Sequence, residues 1–116
     1  VDIRSDTVTQ PTAEMRAVME SASVGDDVLG DDLTVIELQN RVAKLFGKEA
    51  ALFVASGTMS NAIAIKAHTV PGDEIVCDKT AHIYKYEGGG YAALCGVSIA
   101  LVEGENGRIV QVSPTQ

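Results

Sequence analysis

Apolar residues recur in the first half of this chain with a helical period, and later in short unbroken runs. Met15, Val18, Met19 and Ala22 fall at i, i+3, i+4 and i+7, on one helical face. Pro11 and Thr12 precede them, so a helix is expected to open there. Val35, Leu38, Val42, Leu45 and Phe46 form a second apolar stripe. Thr34 and Glu37 have capping-box spacing, although Asp31 or Asp32 serves equally as the cap. Gly47 stands where a left-handed glycine commonly ends a helix. Residues 50–55 are a continuous apolar run, which reads as a strand buried on both faces. A third helix is expected over residues 58–68, then a Pro71-Gly72-Asp73 turn. Strands are expected at 74–78 and 97–102. Between them, residues 80–87 read as a loop with a helical turn and 91–94 as a short helix. Asn106-Gly107 signals a turn, with brief pairing by 109–112 after it. Residues 1–10 are polar and aperiodic, and read as an extended arm.

Strands alternating with helices imply an α/β fold with a mainly parallel sheet and flanking helices. A parallel sheet needs cover on both faces. Three strands with so few helices are therefore expected to be part of a larger domain or to pack against another chain. The arm and helices of residues 1–48 would precede the start of the α/β domain, residues 49–116, with a C-terminal remainder absent.

Composition narrows the function. The chain has 116 residues, enough for one domain. Its 46% hydrophobic content argues against intrinsic disorder. The net charge is −7 and the nine basic residues are scattered, so no nucleic-acid partner is expected. No apolar run approaches the ~20 residues that span a bilayer, so no membrane association is expected. The chain opens on Val1 without the basic and apolar regions of a signal peptide, and reads as processed or trimmed. Cys77 and Cys95 lie in or beside apolar stretches and read as buried thiols of a reducing, cytoplasmic protein. Two cysteines do not make a zinc site, and no metal is expected.

The sharpest local chemistry is Ser56-Gly57-Thr58, between the apolar run and a helix. Free amides and the helix dipole favour an anion there. Gly57 admits a ligand close to backbone, and Thr58 has a hydroxyl to donate. Helix capping by Ser56 or Thr58 explains the same residues without a ligand. The stretch matches neither the Walker spacing nor the dinucleotide fingerprint. His82 follows the 74–78 strand, at the sheet edge where open α/β folds place ligands. It reads either as an imidazole against a cofactor ring, moving protons near neutral pH, or as a surface loop residue. Composition alone gives Ser5 a solvated arm, although its hydroxyl has the chemistry to bind a carboxylate. Asp26, Asp27, Asp31 and Asp32 lack EF-hand spacing and read as turn and cap residues.

Several segments occur in an order that resembles one family. They are Arg4-Ser5-Asp6-Thr7-Val8-Thr9, Gly25-Asp26-Asp27-Val28 with Gly30 and Asp32, and Phe46-Gly47-Lys48-Glu49-Ala50-Ala51-Leu52-Phe53. Ser56-Gly57-Thr58-Met59 with Asn61, Ala67-His68-Thr69, Gly72-Asp73-Glu74, and His82-Ile83 with Tyr86-Glu87 follow. Over residues 1–107 the chain resembles the N-terminal third of the threonine aldolases, which have the aspartate-aminotransferase-like fold. The resemblance implies a pyridoxal-phosphate (PLP) lyase that splits L-threonine or L-allo-threonine into glycine and acetaldehyde. It implies that Gly57 and Thr58, with Ser56 in the same turn, hold the cofactor phosphate. His82 would stack on the pyridine ring and move the proton of the substrate hydroxyl, and Ser5 would bind the substrate carboxylate. It also implies a homo-oligomer, a tetramer or dimer.

The chain departs from the family where Leu29 replaces a frequent tyrosine and Leu33 a frequent proline, and again after Gly107. Lys44, Lys48, Lys66, Lys79 and Lys85 do not match the Schiff-base lysine, which is expected beyond residue 116. A non-catalytic phosphate-binding or interaction module, or a related β-eliminating PLP lyase, are the alternative readings. The chain by itself is expected to have no aldolase activity. Residues 1–116 incubated with PLP and threonine should release no acetaldehyde, and steady lysine-dependent turnover would contradict this.

Overall fold

The computed structural model describes residues 2–105, 108 and 109. The chain divides into two compact units, Val1–Phe53 and Val54–Gln116.

The N-terminal unit begins with a single 3-10 turn, Asp6–Val8, where an extended arm was expected. The cause is local: the Ser5 hydroxyl accepts from the Thr7 amide at 3.2 Å and so folds the arm back. Helix α1 is Ala13–Ser21, and the Thr12 hydroxyl accepts from the Met15 amide at its start. Its apolar face is left uncovered, with Met15, Val18 and Met19 all exposed. Helix α2 is Leu33–Phe46, capped by Asp32 rather than through a Thr34 capping box. Asp32 Oδ1 accepts from the Val35 amide at 2.9 Å. Gly47 has φ 62°, and its amide donates to the Lys44 carbonyl while Lys48 donates to that of Ala43. That is a Schellman ending, which favours a residue without Cβ at the left-handed position.

The loop between α1 and α2 is held by its acidic residues. Asp26 Oδ1 accepts from the amides of Val28 and Leu29 at 2.8 and 3.0 Å. Asp32 Oδ2 accepts from Gly25 at 3.3 Å, and the Asp31 amide donates to the Asp26 carbonyl at 2.9 Å. This draws the backbone of Gly25 so close to Asp31 that a Cβ at residue 25 would lie 2.4 Å from the Asp31 carbonyl carbon.

The expected strand at residues 50–55 does not form. No described strand pairs with it, and the Phe53 amide donates instead to Gln39 Oε1 on α2 at 2.9 Å. Leu52 and Phe53 remain exposed. The composition of a doubly buried strand produces one only where ladder partners exist on either side.

In the C-terminal unit, helix α3 is Gly57–His68, one residue longer at its start than expected. Strand β1 is Glu74–Asp78, and β2 is Ser98–Val102. They pair in parallel, with Glu74 opposite Ser98 and Asp78 opposite Val102. The crossover carries two short helices, α4 (His82–Lys85) and α5 (Gly90–Ala93). Helix α5 packs on α3, α4 and β2. A short antiparallel pair, β3 (Gly104–Glu105) and β4 (Arg108–Ile109), follows. The Asn106-Gly107 turn and the pairing expected of 110–112 lie outside the described residues. The architecture of this unit is thus α/β with a small parallel sheet and flanking helices, as expected.

Burial in this unit centres on Cys77, Cys95 and Val97. Both thiols are free, and the Cys95 thiol donates to the Ala62 carbonyl of α3 at 3.4 Å. Burial, with the charge of Asp78, pushes the Cys77 thiol up. No helix among the described residues is long and apolar enough to cross a membrane.

The close approach at Gly25 sets the first structural test. Gly25→Ala should force the loop open and cost about 1–3 kcal/mol, the usual penalty of overpacking. A lowered urea midpoint for the variant is the expected result, and an unchanged midpoint would contradict the described loop.

Candidate functional site

Ser56 ends the extended run 50–55 and starts α3. Its Oγ accepts from the Met59 amide at 3.1 Å, and its carbonyl accepts from Ser60 at 3.0 Å. The hydroxyl proton of Ser56 is not consumed by this cap. The amides of Gly57 and Thr58 have no acceptor among the described residues. Beyond its chain neighbours and the helix's own backbone, no described atom lies within 4 Å of the place a Cβ on Gly57 would occupy, so that side of the turn is open. Two free amides, two hydroxyls and the positive end of a 12-residue helix make a donor set suited to an anion.

Ser56 and Thr58 open onto a cavity of about 460 Å³. Most of its wall is apolar, from residues such as Met59, Ile63 and Leu94, and Glu87 is the carboxylate on it. Apolar walls with a few polar groups at one end are the usual composition of a small-molecule site.

Glu87 joins that wall to His82. Its side chain is only 5% exposed. Glu87 Oε1 accepts from Asn61 Nδ2 at 2.7 Å and lies 2.8 Å from His82 Nδ1. Burial pushes the Glu87 carboxyl up. The hydrogen bonds from His82 and Asn61 and the imidazole charge outweigh it, holding the group below its usual range. Glu87 is therefore an ionised acceptor at neutral pH.

His82 opens α4 and has a side chain 66% exposed. Its ring is tilted 50° against that of Tyr86, with centroids 5.2 Å apart. Strand β1 delivers this loop, and the loop's start is fixed by Asp78. The Asp78 carboxylate accepts from the Thr80 hydroxyl, from the Thr80 amide at 2.7 Å and from the Gly104 amide at 2.7 Å. These bonds, Thr80's first among them, lower its pKa.

Of the residues singled out in the sequence, Ser56, Gly57 and Thr58 share one turn, and His82 is linked to that turn's helix through Glu87 and Asn61. Ser5 belongs to the N-terminal unit. Its Oγ accepts from Thr7 Oγ1 at 3.0 Å and donates to Asp6 Oδ1 at 3.3 Å. In the sequence, Asn61 and Glu87 stand out only as members of the segments that carry the resemblance. The one available signal was Glu87 five residues after His82, a spacing that faces nothing on a regular helix.

The chain matches known proteins along nearly its whole length. Residues 2–113 match the family model of beta-eliminating lyases. A probable low-specificity L-threonine aldolase 2 of Arabidopsis thaliana is 46% identical over 113 residues, covering 97% of this chain and 32% of that protein. The low specificity L-threonine aldolase of Saccharomyces cerevisiae is 47% identical over 107 residues, 91% of this chain and 28% of the yeast protein. An uncharacterized protein of Caenorhabditis elegans is 52% identical over 103 residues, 89% of this chain and 25% of its own length. The chain thus spans about a quarter to a third of the relatives it matches.

The Glu87 pair carries a pH signature with a defined sign. A carboxyl whose pKa is lowered on folding adds stability above its unfolded value, near 4.5, and loses it as pH falls through the folded value. Glu87→Gln should therefore lower the urea midpoint at neutral pH, with the gap to the parent closing below about pH 4.5. A gap that stays constant into acid would mean that the carboxylate charge does not stabilise the fold.

Proposed function

The chain belongs to the beta-eliminating lyase family, and from that premise we propose that it supplies the N-terminal, cofactor-facing part of a threonine aldolase. The reaction would be cleavage of L-threonine or L-allo-threonine to glycine and acetaldehyde. The observation that carries this reading is the open Ser56-Gly57-Thr58 turn on a helix whose Asn61 is tied, through Glu87, to His82. Enzymes of this family are PLP-dependent.

The donor set of this turn fits the cofactor's phosphate. The amides of Gly57 and Thr58, with the Thr58 hydroxyl, would hold the dianion at the α3 N-terminus. The Ser56 proton remains free to add a further bond. When bound, PLP supplies an electron sink for the charge left on the substrate's Cα. The chain's own residues then bind, orient and move protons. In the proposal His82 lies against the cofactor ring and accepts the β-hydroxyl proton whose departure allows Cα–Cβ cleavage. The Ser5 hydroxyl donates to the substrate carboxylate, exchanging its long bond to Asp6 for a charge-assisted one. Leu29 and Leu33 supply no hydroxyl and no ring constraint where many relatives do, which makes the loop around them a candidate determinant of substrate preference. A homo-oligomer in the cytoplasm completes the proposal.

The test uses the whole product of the gene. Supplied with PLP and threonine, it should release acetaldehyde and glycine in equal amounts. Ammonia with 2-oxobutanoate would instead identify an eliminating lyase. His82→Ala should lower kcat by about 10²–10⁴-fold, the usual worth of a positioned acid–base group. Thr58→Val should weaken PLP binding about tenfold or more, as expected for a lost bond to a charged group.

A further inference from the structure

Glu87 is a side chain that the proposed chemistry does not use, yet it is 95% covered and ionised. A covered carboxylate needs donors on its oxygens. One of those it has, Asn61 Nδ2 at 2.7 Å, comes from the second turn of α3. Another is His82 Nδ1 at 2.8 Å. An ionised carboxylate only accepts, so the hydrogen between Glu87 and His82 belongs to Nδ1. When the ring is neutral, Nε2 is then left bare, with its lone pair directed away from Glu87.

We propose that Glu87, itself oriented by Asn61, is the positioning residue that fixes His82 in the Nδ1–H tautomer and presents Nε2 as the proton-accepting atom. This rests on the reading of His82 as the proton-moving residue. The unassisted neutral histidine side chain favours the opposite, Nε2–H tautomer, so without Glu87 the ring would mostly turn a donor toward the substrate hydroxyl. The paired ring turns an acceptor toward it. The device resembles the acid–histidine pairs in which a second group sets which nitrogen works. It also joins the two halves of the site mechanically. Asn61 lies three residues after Thr58 on α3, so the helix that presents amides to an anion also orients the group that orients the imidazole. The Tyr86 ring lies tilted 50° against that of His82, with centroids 5.2 Å apart.

Ring nitrogen-15 NMR of the histidine-labelled chain tests this without any cofactor or turnover. The chain has two histidines, and His68→Gln assigns their signals. At about pH 8.5, above the ordinary histidine range, His82 should show a protonated Nδ1 and a bare Nε2. Glu87→Leu should remove that preference, Asn61→Ala should weaken it, and Glu87→Gln, which keeps an acceptor oxygen, should retain it. A parent spectrum with a bare Nδ1, or with the two nitrogens averaged as in free imidazole, overturns the proposal without reference to any variant. A preference unchanged in Glu87→Leu overturns it equally. Because no readout depends on threonine cleavage, failure of the aldolase assay and failure of this assignment are separate results.

Discussion

A charged carboxylate taken out of water has to be answered by donors, and Glu87 is answered by two side chains from different segments. That requirement organises the C-terminal unit. Asn61 is fixed in α3 by the helix itself, and His82 is fixed by strand β1 and the Asp78-centred turn that follows it. Glu87 comes after α4 and before the paired glycines that turn the chain into α5. Two residues, one 26 positions before Glu87 and one five, are thereby drawn to the same carboxylate oxygen. The turn at Ser56-Gly57-Thr58 is the open end of the same α3, and the amides of Gly57 and Thr58 have no acceptor among the described residues.

What the chain lacks is as telling in energetic terms. Two paired parallel strands leave sheet faces and helix stripes without cover, and Met15, Val18, Met19 and Phe46 remain exposed. Burying a side chain of this size is worth roughly 1.5–3 kcal/mol each. The α1 stripe is therefore a substantial reserve of unburied apolar surface. Its presence agrees with a segment that covers about a quarter to a third of the proteins it matches. Capping carries more of the local order here than packing does: Ser5, Thr12, Asp32 and Ser56 each satisfy an amide at the start of a turn or helix.

Much of this order was legible because it is local. The 3.6-residue period of Val35, Leu38, Val42 and Leu45, closed by Gly47, needs no tertiary information, and neither does the strand 74–78 after its Pro-Gly-Asp turn. The strand expected at 50–55 was not legible, because an apolar run shows what a ladder would tolerate and not whether a ladder exists. Here the Gln39 side chain took the amide that a neighbouring strand would have taken. The Ser5 turn was not legible from the arm's polarity, because a single hydroxyl-to-amide contact across the Ser-x-Thr spacing folds it. The Glu87–His82 pair was invisible to helical or strand periodicity, since short helix, turn and glycines intervene. The ligand roles expected of Ser5, Ser56, Gly57, Thr58 and His82 rest on the resemblance and on their places along the chain, and the geometry adds protein partners for Ser5, Ser56 and His82.

The Cys95 thiol, 1% exposed and donating to the Ala62 carbonyl at 3.4 Å, also lines the cavity that Ser56 and Thr58 open onto. A covered sulfur resists alkylation, so its modification reports movement of the surface around it. The helix it touches carries Ser56 and Asn61, so a small molecule that fills the cavity should slow that modification.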